Sequence, residues 1–113
     1  MNYQPINLSD KFAKFSEKWS PKIVAQMNDY HFKIARLEGE FIWHDHPETD
    51  EVFIVLKGQL EIRFHEGSVV LNEGEMLPTT RVILLNSRSS LIVTNGLFKF
   101  KYTAGFPFAS YAG

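Results

Sequence analysis

The sequence predicts an all-β protein, either a sandwich or a barrel, on the basis of three observations. Short apolar stretches recur along most of the chain, and turn-forming residues separate them. Several of these stretches alternate apolar and polar residues, which is the period of a β-strand. Helical periodicity occurs in one N-terminal segment, and the chain contains no internal repeat at a fixed period. We therefore expect eight or nine short strands in a single domain, residues 1–113.

The N-terminal segment, residues 1–20, is predicted to contain a short amphipathic helix. Ser9 is the predicted N-cap, since serine often caps helices. Phe12, Phe15 and Trp19 are spaced to share one face of this helix. Pro21 ends it, because proline disrupts a helix interior. We expect the helix to lie against the outside of the β-domain.

Residues 22–76 are predicted to form the core of the β-domain. Lys22–Glu38 has the pattern of a hairpin, in which "KIVAQM" and "YHFKIARLE" flank the turn "ND". In the second strand, apolar side chains alternate with His31 and Lys33, so His31 is predicted to lie on the surface. The stretch "EVFIVLKG" is apolar on both faces, which is typical of a central strand.

The stretch "QLEIRFHEG" alternates cleanly, with Leu60, Ile62 and Phe64 facing inward and His65 on the opposite, polar face. The stretches "SVVL" and "NEGE" follow as a strand and a turn. Residues 77–113 contain three further apolar runs, "RVILLN", "SLIVTN" and "LFKFKY", and are predicted to form atypical C-terminal strands.

The charge composition argues against several classes of protein. The net charge is −1, so no general attraction to nucleic acid or to an anionic membrane is expected. The chain has no cysteine, which excludes disulfides and thiolate metal sites. It also lacks the pattern of a signal peptide and an apolar run of membrane-spanning length, so a cytoplasmic location is expected.

Charge is unevenly distributed along the chain. Residues 1–76 contain all 13 acidic residues, whereas residues 77–113 contain four Lys or Arg residues and neither an acid nor a histidine. This composition indicates either a diverged ending or the product of an altered reading frame, and the sequence is compatible with both.

Three potential metal ligands lie close together in "WHDHPETDE". His44 and His46 are two residues apart on a predicted strand, so their side chains project from the same face. The turn that follows would bring Glu51 beside His46, in phase with Phe53 and Val55. Two imidazoles and one carboxylate suit Fe(II), Mn(II), Ni(II), Zn(II) or Cu(II), with positions left open for water or substrate. The alternative interpretation is a hydrophilic turn without metal.

The same stretch resembles the first conserved motif of the cupin superfamily, in which a glycine precedes His-x-His, a glutamate and a closing glycine. Here these residues are Gly39, His44, His46, Glu51 and Gly58, with four residues rather than the family's five between Gly39 and His44. The resemblance covers about Leu37 to Met76. It implies a cupin-type jelly-roll barrel, and it implies that His44, His46 and Glu51 bind a divalent metal ion, Fe, Mn, Ni or Zn.

The second cupin motif, which supplies a fourth histidine ligand, is missing. It should follow Gly74, where Pro78 is present but no Gly-x-x-His comes after it. His65 lies on the wrong face of its predicted strand to replace that ligand. The resemblance therefore implies an incomplete site that binds metal weakly or is empty.

Three functions remain open from the sequence. The chain could be a metal-dependent cupin enzyme with a small-molecule substrate, but no general acid or base stands out and no catalytic residue is assigned. It could instead be a non-catalytic cupin that binds a small molecule with or without metal. The third possibility is a structural oligomer-former. In each case we expect a homodimer, because the chain is rich in apolar strands.

Overall fold

The structure is a computed structural model that describes residues 3–42, 50–96 and 110–111. In this part of the chain there are one short helix and seven strands. They are α1 (Leu8–Phe12), β1 (Lys22–Met27), β2 (Tyr30–Ile42), β3 (Asp50–Phe64), β4 (Gly67–Leu71), β5 (Met76–Thr80), β6 (Leu84–Gly96) and β7 (Ser110–Tyr111).

The strands form one sheet in the order β4-β3-β6-β2-β1-β7, and β5 pairs with β3 beside this path. All pairings are antiparallel except that of β1 with β7. The long strand β6 is central, because β2 pairs along one of its sides and β3 along the other. This is the predicted all-β jelly-roll barrel with a short N-terminal helix.

Chain connectivity requires this sheet to be curved. Ile42, at the end of β2, is level with Leu84 of β6, whereas Glu51, at the start of β3, is level with Asn95. A flat β6 would separate these two levels by about 36 Å at ~3.3 Å per residue. The connection from Ile42 to Glu51 cannot exceed about 32 Å. The sheet must therefore curl, which brings the start of β3 toward the end of β2.

Apolar side chains are buried in two layers, one on each side of the sheet. The barrel interior is filled by the larger cluster, which includes Ala35, Leu37, Phe53, Val55, Leu60, Ile62, Leu85, Leu91 and Val93. On the outer side, Phe12 of α1 and Ile34 of β2 form a second cluster with Phe15 and three strand residues, Val24, Leu56 and Ile92. The helix thus covers the outside of the sheet, as predicted.

The prediction of the helix was wrong in detail. Asn7, and not Ser9, is the N-cap, and its side chain accepts a hydrogen bond of 3.0 Å from the backbone N–H of Asp10. The helix ends at Phe12, so Trp19 lies beyond it and stacks on Phe41 with ring centroids 5.0 Å apart. Arg36 holds Phe15 near Phe12, because the Arg36 guanidinium donates hydrogen bonds to the backbone carbonyls of both phenylalanines.

The predicted N-terminal hairpin is confirmed, but the runs "EVFIVLKG" and "QLEIRFHEG", predicted as two strands, contribute to the single strand β3. The hairpin of β1 and β2 is present, with its turn at Asn28 in the left-handed region at φ 54°. The runs "RVILLN" and "SLIVTN" likewise contribute to one continuous strand, β6. The serines between them do not end the strand, because Ser87 and Ser89 are buried against β3 at Leu60 and Gly58. The run "LFKFKY" lies outside the described residues.

Candidate functional site

The candidate site is on the inner wall of the barrel, near the start of β3. Glu51 has the predicted phase, since it faces inward with Phe53 and Val55, and its side chain is only 3% exposed. Backbone register places Glu51 level with Asn95 of β6, and Asn95 level with His31 of β2. Thr79 of β5 lies on the other side of Glu51. Residues paired across a sheet point to the same face, so Glu51 and His31 belong to one inward-facing row.

Local contacts hold Glu51 in place. The Thr79 hydroxyl donates a hydrogen bond of 3.2 Å to the backbone carbonyl of Glu51. The carboxylate interacts electrostatically with Lys33, and its Oε2 accepts no hydrogen bond from the described residues. A buried carboxylate in an apolar wall needs compensation by a cation or by hydrogen bonds, and Lys33 supplies a positive charge beside it.

Lys33 is the second buried charge of the inner wall, although it alternates in sequence with the apolar Phe32 and Ile34. Its side chain is 3% exposed, and it lies one row further into the barrel than His31, level with Val93 and Phe53. Burial lowers the pKa of Lys33, and the nearby Glu51 carboxylate partly opposes this shift. The ammonium therefore has Glu51 as its neighbouring charge in an otherwise apolar layer.

His31 also lies on the inner side, so the prediction that it is a surface residue was wrong. Both faces of β2 are covered, since Ile34 packs beneath α1 while Ala35 and Leu37 fill the barrel. Alternation of apolar residues therefore could not identify the inner face. His31 is half-buried, and its pKa is lowered by burial and, to a smaller extent, by the charge of Lys33.

The predicted ligands His44 and His46 lie outside the described residues. They belong to the segment 43–49, which connects the end of β2 with the start of β3. Within the described ranges, no cluster of three or more His, Cys, Asp or Glu side chains is arranged to bind a metal. Of the three predicted ligands, the structure thus describes Glu51 alone.

The remaining histidine is unsuited to this site. His65 follows the last residue of β3, whereas Glu51 is near the first, and its side chain is exposed. This exposure agrees with its predicted position on the polar face, since the inward neighbours Leu60 and Ile62 are completely buried. His65 is therefore a suitable control for any role of the inner-wall histidines.

A cavity of about 450 Å³ has Glu51 and Thr79 of the inner wall in its lining. Most of its lining residues, such as Val52, Thr94 and Tyr30, alternate with the inward-facing residues of their strands. The cavity therefore adjoins the candidate site through Glu51 and Thr79, although most of its wall belongs to the outer face. The inner wall, with one carboxylate and one ammonium in an apolar surrounding, has the chemistry of a site for a cation or a polar ligand.

No family model matches the chain. The uncharacterized protein YdbB of Bacillus subtilis (strain 168) is 33% identical over 89 residues, which are 78% of this chain and 73% of YdbB. None of the helices in the described residues could span a membrane.

Solved structures of cupins share the fold. A cupin-2 domain protein from Shewanella frigidimarina NCIMB 400 is 40% identical with a TM-score of 0.72, and the match covers 80% of this chain and 93% of that protein. Protein NMB1881 from Neisseria meningitidis is 28% identical with a TM-score of 0.70, over 82% of this chain and 99% of its own. Together with the jelly-roll barrel described above, these similarities show that the chain belongs to the cupin family, as a small cupin-domain protein.

Proposed function

We propose that the protein binds a divalent metal ion through His44, His46 and Glu51 and holds a small molecule beside it in the barrel. The observation that carries this proposal is the position of Glu51, whose carboxylate is 3% exposed on the inner wall and immediately follows the segment that contains both histidines. A buried carboxylate next to two imidazoles is a ligand set for Fe, Mn, Ni or Zn.

The residues of the described wall fit such an ion. Glu51 supplies an anionic oxygen, and its neighbours Phe53, Val55 and Val93 are completely buried apolar side chains. An apolar surrounding limits competition from water and strengthens the attraction between the carboxylate and a cation, while the nearby Lys33 ammonium opposes the binding of a second cation. A bound ion would supply Lewis-acid chemistry to a ligand, and this chain's residues would orient both.

The site has three ligands in this proposal, and weak binding is expected from the missing fourth histidine. We therefore expect the purified protein to be partly empty and to take up added metal. Since imidazoles must be deprotonated to coordinate, occupancy should fall below about pH 6. The second candidate is a non-catalytic, ligand-binding role. Among the described inner-wall residues, only Lys33, Glu51 and the half-buried His31 are ionisable.

The test is a calorimetric titration with Ni(II) or Zn(II). The wild type should bind one ion per chain, and the double variant His44→Ala/His46→Ala should lose at least about tenfold in affinity. His65→Ala is the matched control and should bind as the wild type does. The proposal is refuted if the wild type takes up no metal, or if the double variant binds equally well.

A further inference from the structure

We propose that the inner wall binds a small carboxylate ligand through Lys33, beside the metal centre of the proposed function on which this inference rests. The observation is a lysine in an unusual place. Lys33 is 3% exposed on β2, and the described residues around it in the barrel are apolar except for Glu51, His31 and Thr79. Lysine is almost never fully buried unless a partner compensates its charge.

The pairing of Lys33 with Glu51 does not by itself explain a lysine at this position. A buried ion pair is weak evidence for stability, since apolar residues of similar volume often serve equally well. The layer around Lys33 is already filled by apolar side chains, among them Phe53 and Val93, which are completely buried. A methionine at position 33 would therefore be expected to pack there. The presence of a lysine at this position therefore has to be explained by another role, and the chemistry of an ammonium suits the recognition of an anion.

A bound metal ion would change the net charge of the site. In the metal-free wall, the charges of Lys33 and Glu51 oppose each other. When Glu51 coordinates a divalent ion through its carboxylate and the imidazoles stay neutral, the ion and the ammonium together leave an excess of about two positive charges in an apolar interior. Uncompensated charge there is costly, so an anion is the favoured occupant.

A carboxylate is the anion that suits both the ion and the ammonium. A carboxylate has two oxygens, so one can bind at an open coordination position while the other accepts a charge-assisted hydrogen bond from the Lys33 ammonium. His31 is half-buried one residue pair away on the same face of β2, and it is placed to contact the rest of the ligand toward the barrel mouth. Lys33 is thus a specificity-determining residue in this proposal.

The test is a titration of the Co(II)-loaded protein with acetate, followed by the visible absorption spectrum of the ion. We expect saturable binding to the wild type and an affinity at least about tenfold lower in Lys33→Met, because a hydrogen bond to a charged group is lost. Lys57→Met is the matched control, since Lys57 is exposed on the same sheet, and it should bind acetate as the wild type does.

A second arm uses the wild type alone, so that a folding defect of Lys33→Met does not remove the test. Acetamide has the shape of acetate without its charge, and we expect it to bind at least about tenfold more weakly. Equal binding of acetate and acetamide, or equal acetate affinity of the wild type and a folded Lys33→Met variant, would overturn the inference. If the wild type takes up no Co(II) in the first place, the proposed function itself has failed, and the metal titration reveals this before acetate is added.

Discussion

The carbonyl oxygen of Arg88 lies so close to Gly58 that a Cβ atom added there would be 1.9 Å from it. Gly58 also has φ 86°, in the left-handed region that L side chains rarely adopt. The glycine that closes the cupin-like motif is therefore required for two reasons, its backbone conformation and the close approach of β6 to β3.

We expect Gly58→Ala to destabilise the fold by at least about 3 kcal/mol, since a clash with backbone adds to the conformational strain. Gly74→Ala is the matched control. Gly74 has a similar φ of 82°, but a Cβ there would meet no atom within 4 Å, so a cost of about 1 kcal/mol is expected. Urea denaturation of both variants measures the difference. Equal costs would mean that the approach of Arg88 contributes nothing.

Arg36 fastens the N-terminal segment to the barrel. Its guanidinium donates hydrogen bonds of 2.8 Å and 3.3 Å to the carbonyls of Phe12 and Phe15 and lies over both rings. We expect Arg36→Lys to cost about 1–2 kcal/mol, because an ammonium cannot reproduce the planar fork.

The control for Arg36→Lys is Arg63→Lys. Arg63 is 49% exposed and contacts Glu61 at 3.4 Å, so its replacement should stay within about 0.5 kcal/mol. The free energy of unfolding, measured with urea, compares the two variants. A cost for Arg36→Lys no larger than that for Arg63→Lys would show that the guanidinium does not hold the segment.

His31 should titrate at lower pH than an ordinary histidine in the metal-free protein. Burial is the larger cause of its lowered pKa, and the charge of Lys33 adds to it. Between the usual histidine pKa of about 6.5 and the lower folded pKa, the imidazole is protonated in the unfolded chain but not in the folded chain. The stability of the fold therefore falls as pH drops through this window. Above that window this group has no effect on stability.

An NMR titration of the imidazole signals measures this shift. We expect the pKa of His31 to rise in Lys33→Met but to stay below the usual value, because burial remains. A His31 pKa above its usual value in the wild type would place the side chain outside the barrel and contradict the inward orientation.

Glu51 and His31 illustrate how far the sequence could predict the site. The phase of Glu51 could be predicted because it shares a face with Phe53 and Val55, and both are completely buried. The orientation of His31 could not, because β2 is covered on both faces and its apolar residues do not mark the inner one. The prediction that Trp19 lies on the helix was also wrong, because the helical spacing of the aromatic residues does not reveal that α1 ends at Phe12.

We propose that the protein forms a homodimer through the edge of β4 that pairs with none of the described strands. This strand is at one end of the sheet order and exposes Val69 and Val70, at 39% and 47%. Exposed apolar edges favour association. Light scattering at micromolar concentration should give twice the mass of one chain, and Val69→Lys/Val70→Lys should reduce it to that of one chain.

Met27→Lys is the control for the dimer, since Met27 is 58% exposed on β1, away from β4 in the sheet order. It should keep the mass of the wild type. A wild-type particle with the mass of a single chain would contradict the dimer, and a dimer that persists in the double lysine variant would move the interface away from β4.

The most direct test of the metal site is the number of imidazoles that coordinate a bound Cu(II) ion, counted by pulsed electron paramagnetic resonance. We expect two imidazoles in the wild type, one in His44→Ala and one in His46→Ala, with no change in His31→Ala or His65→Ala. A count that stays the same in His44→Ala and His46→Ala, or that falls in His31→Ala, would contradict the assignment of His44 and His46 as the ligands that act with Glu51.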